Sequence, residues 1–366
     1  MFRNKDDTVS EVLKKRGISR RDFFKIATIT TAMLGLEYTQ VGHVVAQMET
    51  KTRVPVIWLH FQDCTGCSEA ITRSYNPSLI NLLLNDISLD YHETLMAAAG
   101  HQAEAAKQSI METYAGNYVL VVEGSVPTGF GMTSIGGRAA EDILREAADG
   151  AMAIVSVGNC AAFGGIPAAE PNPTNAHGVW DLITDKPIIN VPGCPPIPEV
   201  MTGTIAHILL LGALPELDRL NRPKMFYAQT VHDRCIRRGF YDAGLFADSF
   251  GDDGYKAGYC LYKLGCKGPT TYNACPSIKW NGGTSWPVEA GHPCLGCSEP
   301  KFWDNAGFYQ GQSAVINAPS LAAAAGAAAV GVAAGAAIAA ANAANKRRAE
   351  HATPSQVPSS TEGDES

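Results

Sequence analysis

The sequence predicts an α/β protein with a parallel sheet covered by helices on both faces. A smaller, irregular domain and a single C-terminal helix follow it. Three observations predict this. Short apolar runs recur at residues 54–61, 87–95, 118–123, 153–158 and 188–191, with helix-like stretches such as 137–149 and 199–211 between them. From residue 224 to 312 strands are few, while Gly, Pro, aromatic residues and Cys are dense. Near the end, residues 305–345 contain no charge, and 321–341 consists of 14 Ala, 3 Gly and four larger aliphatics.

Continuous β-branched runs alternating with helices imply strands buried on both faces, hence a parallel sheet. Five such strands over residues 51–223 fit a flavodoxin-like doubly wound domain. The segment 224–312 is poorly able to build an ordinary core, so bound metal is expected to help hold it together. The Ala-rich stretch 320–345 is long enough, at roughly 1.5 Å per residue, to cross a bilayer core. Lys346-Arg347-Arg348 follow it and put the C-terminus on the cytoplasmic side. Gly331 and Gly335 form a GxxxG pattern suited to a second membrane helix. Residues 346–366, rich in Ser, Glu, Thr and Pro, are expected to be a disordered cytoplasmic tail.

At the other end, Ser19-Arg20-Arg21-Asp22-Phe23-Phe24-Lys25 precedes an uncharged, fairly apolar run at 26–36. Val44-Val45-Ala46 then offers a cleavage site. Paired arginines before an apolar stretch are the twin-arginine export pattern, so residues 1–46 are expected to be a signal peptide outside the fold. The whole chain carries 29 basic and 36 acidic residues; without residues 1–46 the balance is 21 against 31, or −10. That acidic balance excludes a nucleic-acid binder, which needs a basic face.

Ten cysteines carry the chemistry. Cys64 and Cys67 follow the first strand, Cys160 the fourth and Cys194 the fifth, while Glu123-Gly124-Ser125 follows the third. Sites in open α/β sheets form at the carboxyl ends of the strands, so these four thiols should converge. A Cys₄ set suits zinc or an iron–sulfur cluster. One CxxC joined by two single cysteines in Gly/Pro-rich loops favours iron–sulfur, because such loops wrap closely and leave N–H groups for the sulfurs. In the second segment, His232 and Cys235 lie three residues apart, and Cys260 and Cys266 could complete a His-Cys₃ set. Cys275, Cys294 and Cys297 remain. A three-thiolate set suits a cubane that has lost one iron, 3Fe–4S; Pro287, between Cys275 and Cys294, cannot bind metal. Disulfides or zinc in an exported protein are the rival readings.

The run from Trp58 to Glu69, containing Asp63-Cys64-Thr65-Gly66-Cys67-Ser68, resembles the opening of NiFe hydrogenase small subunits. Glu123-Gly124-Ser125-Val126-Pro127, Gly158-Asn159-Cys160-Ala161-Ala162-Phe163-Gly164-Gly165 and Val191-Pro192-Gly193-Cys194-Pro195-Pro196 match too. So do Tyr262-Lys263-Leu264-Gly265-Cys266-Lys267-Gly268-Pro269 and Gly291-His292-Pro293-Cys294-Leu295-Gly296-Cys297. The resemblance spans residues 51–312. It implies two 4Fe–4S clusters and one 3Fe–4S cluster. The proximal 4Fe–4S ligands would be Cys64, Cys67, Cys160 and Cys194, the medial 3Fe–4S ligands Cys275, Cys294 and Cys297, and the distal 4Fe–4S ligands His232, Cys235, Cys260 and Cys266. Oxygen-tolerant members carry two further cysteines where this chain has Gly66 and Gly165, so an ordinary proximal cubane and oxygen sensitivity are implied.

The implied activity is hydrogenase electron transfer, with H₂ split at a NiFe centre in a separate large subunit; no cysteine is left here for nickel. The relay would lead to a membrane cytochrome or an iron–sulfur, quinone-linked partner, or to a soluble periplasmic cytochrome. The heterodimer would sit on the periplasmic face of the cytoplasmic membrane. The alternative is a stand-alone exported iron–sulfur electron-transfer protein; a sensor-type hydrogenase has no use for an export signal.

Overall fold

The computed structural model describes residues 10–11, 17–33, 37–50, 54–75, 87–129, 131, 134–304 and 308–310. All lie in one compact unit, residues 1–312. The stretch 320–345, expected to be a membrane anchor, and 346–366, expected to be a disordered tail, lie outside the described residues. Among the described residues, no helix is long and apolar enough to cross a membrane.

Five parallel strands form the central sheet: β1 Val54–His60, β2 Ile87–His92, β3 Tyr118–Glu123, β4 Ala151–Val157 and β5 Ile188–Val191, in the order β2-β1-β3-β4-β5. This is the flavodoxin-like arrangement expected. Every residue of β3, the central strand, is buried. The two-residue period of a strand sorts side chains onto two faces. Val56, Trp58, Val119, Val121, Val155 and Val157 enter one core, and Ile57, Leu59, Leu120, Val122 and Ile154 the other. The second strand ends at His92 instead of continuing to residue 95, because the His92 carbonyl accepts from the N–H groups of Leu95 and Met96 in a turn.

The helices follow from their own patterns. They are α1 Arg20–Met33, α2 Val41–Thr50, α3 Gly66–Thr72, α4 His101–Thr113, α5 Ala140–Asp149, α6 Gly158–Phe163 and α7 Pro198–Leu211. In α5, Ala140, Ile143, Leu144 and Ala147 make one buried stripe, with Glu141 and Asp142 in the first turn where the helix dipole favours negative charge. Helix α7 starts on Pro198 at its first turn and stops at Gly212, whose φ of 62° suits a residue without Cβ.

The N-terminal segment departs from expectation. Residues 1–46 were expected to lie outside the fold, yet Phe23 and Ala27 of α1 and Val44 and Val45 of α2 are buried in the same core as Met201, Ile205 and Leu209 of α7. Apolar side chains of α1, α2 and α7 lose water when they meet, which is sufficient cause for docking. Asp22 donates its backbone N–H to Ser19 Oγ at 3.2 Å, capping α1, while Arg20 and Arg21 stay exposed at its first turn.

Residues 224–304 are built of turns and short helices, as expected. It has a small core of its own, Val231, Ala247, Leu261, Leu264, Cys266, Trp286 and Val288. Arg222, 3 % exposed, ties it to the sheet domain: its guanidinium donates to Glu299 Oε1 at 2.9 Å and Asp218 Oδ2 at 2.8 Å. Asn159 Nδ2 donates to the carbonyls of Cys297 and Glu299, both at 2.9 Å.

Candidate metal centres

None of the ten cysteines is in a disulfide. They fall into three groups. The first forms at the carboxyl edge of the sheet, where the chain order of the strands reverses beside β1. Cys64 lies in the loop after β1, Cys67 in the first turn of α3, Cys160 on α6 after β4, and Cys194 after β5. Burial pushes the Cys67 thiol well above its usual range, and Glu123, Cys160, Cys64 and Cys194 push it further. Cys160 is pushed up to about 11, chiefly by burial, with Cys64 contributing. Cys194 reaches about 12 for the same reasons. Thiols that repel one another's charge this way need a cation to ionise together.

Close approach explains the glycines. Gly158 has φ 87°, and a Cβ there would lie 2.6 Å from Cys67 Sγ. A Cβ on Gly165 would lie 2.7 Å from Cys160 Sγ, and one on Gly66 3.0 Å from Cys64 Sγ. The two positions singled out in the sequence therefore border this site directly.

Behind it lies a buried polar network, whose members the sequence did not mark as functional. Glu123, 1 % exposed at the end of β3, accepts from Cys67 N at 2.9 Å, Ser68 N at 3.2 Å, Ser68 Oγ at 2.5 Å and Trp58 Nε1 at 3.2 Å. His60 Nδ1 meets Asp63 Oδ2 at 2.5 Å. Burial alone would lower His60, but the Asp63 hydrogen bond and the carboxylates of Glu123, Asp63 and Glu93 outweigh it, and its pKa is raised. His92, beside Ser68 Oγ at 3.1 Å, is held down near 4 by burial and by His60. The signal available in the sequence was Glu123 itself, a carboxylate closing an otherwise apolar strand.

The second group, Cys275, Cys294 and Cys297, lines a cavity of about 290 Å³ together with Pro287, Trp286 and Cys194. Burial pushes Cys275 up to about 12 and Cys294 well above its usual range. The Trp286 indole N–H is buried there with no hydrogen-bond partner among the described residues. Three thiols, room for an inorganic core and an orphaned donor fit a sulfide-containing cluster.

The third group is His232, Cys235, Cys260 and Cys266, which line one small cavity. Burial lowers the His232 pKa, favouring the neutral imidazole that ligates metal. Its ring stands edge-on to Tyr241 at 4.5 Å between centroids. The groups adjoin in series. Cys194 lines the same cavity as Cys275, Cys294 and Cys297, joining first to second. The Cys294 N–H donates to Cys266 Sγ at 3.3 Å, joining second to third. A chain of donor sets running from the sheet edge outward suits electron transfer. It does not resemble a structural zinc site, which is closed and solitary.

Comparison with known proteins agrees. Residues 227–310 match the family model for the C-terminal part of the NiFe/NiFeSe hydrogenase small subunit, and residues 64–208 that of the 20 Kd subunit of NADH ubiquinone oxidoreductase. The uptake hydrogenase small subunit of Afipia carboxidovorans is 55% identical over 305 residues, 83% of either chain. This chain belongs to the NiFe hydrogenase small subunits. The hydrogenase-1 small chain of Escherichia coli K12 is 47% identical over 320 residues, covering 87% of this chain and 85% of that one. Among solved structures, the reduced, active NiFeSe hydrogenase of Desulfomicrobium baculatum matches with TM-score 0.67 and 39% identity, over 71% of this chain and all of that one. The actinobacterial-type NiFe hydrogenase of Ralstonia eutropha H16 matches with TM-score 0.66 and 30% identity, over 72% and 84%. The small subunit is the iron–sulfur electron-transfer chain of an oxidoreductase, and a large subunit is its partner.

Proposed function

We propose that this small subunit holds three clusters: a proximal 4Fe–4S on Cys64, Cys67, Cys160 and Cys194, a medial 3Fe–4S on Cys275, Cys294 and Cys297, and a distal 4Fe–4S on His232, Cys235, Cys260 and Cys266. Bound there, the clusters supply one-electron redox centres between H₂ oxidation at a NiFe centre in the large subunit and a membrane or periplasmic acceptor. The observation that carries this is the serial adjacency of the three thiol groups: Cys194 and Cys297 line one cavity, and the Cys294 N–H reaches Cys266 Sγ. The protein's part is to position and insulate. Glu123 fixes the N–H groups of Cys67 and Ser68, Gly158 leaves room for the Cys67 sulfur, and Cys260 and Cys266 are buried.

Iron analysis of the purified heterodimer should give about 11 atoms per small subunit. Zinc in place of iron would end the proposal. A brown, iron-loaded chain that never co-purifies with nickel would favour the stand-alone electron-transfer protein instead.

In the same proposal, residues 1–46 are a twin-arginine leader, the body lies on the periplasmic face, and 320–345 anchors it beside a cytochrome or an iron–sulfur, quinone-linked partner. Deleting residues 313–366 should release the heterodimer to the soluble periplasmic fraction with artificial-dye activity retained. Continued sedimentation with membranes would show that this segment is not the anchor.

A further inference from the structure

Two arginines stand side by side after the distal Cys235, and their surroundings differ. Arg238 is partly exposed and its Nε donates to Asp242 Oδ1 at 2.9 Å, so its charge is already met. Arg237 is 9 % exposed and lines the small cavity with His232, Cys235, Cys260 and Cys266. Its Nε donates to the Val288 carbonyl at 3.0 Å and its Nη1 to the Tyr259 carbonyl at 2.8 Å. Its backbone N–H points to Cys235 Sγ at 3.4 Å. Among the described residues no carboxylate lies within ion-pair distance of it. Neutral carbonyls orient a guanidinium but do not offset its charge, and a buried charge needs an opposite one nearby.

Of the side chains that line the cavity of Arg237, those able to carry negative charge near neutral pH are the thiols. The Arg237 side chain shares one cavity lining with Cys235, Cys260 and Cys266, so the guanidinium stands beside all three sulfurs. Val288, which it grips, also lines the medial cavity, so the guanidinium stands where the second and third thiol groups adjoin.

We propose that Arg237 is the charge partner of the distal cluster, a positioning residue whose buried cation holds the three thiolates together and raises the reduction potential of the centre they bind. This rests on the assignment of the distal ligands above. Three thiolates leave such a cluster anionic, and reduction makes it more so; a fixed cation in a low-dielectric site therefore favours the reduced form.

The test uses the purified heterodimer and two variants. Arg237→Gln keeps hydrogen-bonding capacity and loses the charge; Arg237→Lys keeps the charge. Potentiometric EPR titration should show the distal signal shifted to lower potential in Arg237→Gln and close to the parent in Arg237→Lys, with the medial signal moving less. If Arg237→Gln instead empties the site, iron falls by about four atoms per chain, and retention of that iron in Arg237→Lys still supports the charge role. An unmoved distal potential in Arg237→Gln, or equal shifts or equal iron loss in both variants, would overturn it. Iron content unchanged by Cys260→Ser would instead defeat the ligand assignment.

Discussion

Gly158→Ala should empty the proximal site. The backbone there has φ 87°, where an L side chain is strained by roughly 1–2 kcal/mol. The larger effect is steric: the new methyl carbon would lie 2.6 Å from Cys67 Sγ, closer than carbon and sulfur can approach. The Cys67 sulfur must move, and a ligand displaced from a shared cluster is lost to all four thiols. Iron should fall by about four atoms per chain, and H₂-dependent dye reduction on the order of 100-fold. The EPR signal of the medial centre should survive, because its thiols are on another part of the chain. Gly239→Ala is the matched control, since nothing lies within 4 Å of its would-be Cβ. Full iron content and activity in Gly158→Ala would show that Cys67 is not a proximal ligand.

Pro287→Cys should convert the medial centre towards 4Fe–4S. Pro287 lines the same cavity of about 290 Å³ as Cys275, Cys294 and Cys297, and its ring has no atom to offer iron. A thiolate there can hold a fourth iron, so iron should rise to about 12 atoms per chain and the oxidised 3Fe–4S EPR signal should shrink. The medial potential should fall with the added negative charge. Turnover changes less than the potential if another step limits the rate. An undiminished signal would mean that Pro287 does not face the open corner, and the medial set would need redrawing.

The cysteines were legible in the sequence for a physical reason. In a parallel sheet every strand ends on the same edge, so Cys64, Cys67, Cys160 and Cys194, each following a strand, are brought together by topology alone. The strand ends were less legible. The apolar run to residue 95 outlasts the second strand, because the His92 carbonyl turns the chain before apolar composition ends. The polar support behind the proximal thiols was hidden in another way. Ser68 and Glu123 are 55 residues apart, and neither residue type in its local setting marks the other. The docking of α1 and α2 was not legible either, because an apolar run reads the same in sequence whether it meets a membrane or covers α7.

By itself, the sequence determined the α/β class and the gathering of Cys64, Cys67, Cys160 and Cys194 at the carboxyl edge of the strands, and it suggested the grouping of the remaining cysteines with His232. Periodicity and residue spacing are local quantities, and backbone geometry converts them into faces and edges without reference to anything distant. Only the tertiary structure decided which thiol group lies beside which: Cys194 shares a cavity with Cys297, and the Cys294 N–H reaches Cys266 Sγ. It also separated Arg237 from Arg238, neighbours of one kind, one buried among thiols and the other paired with Asp242 at the surface. Burial and charge balance depend on what the rest of the chain brings alongside, and no window of sequence contains that.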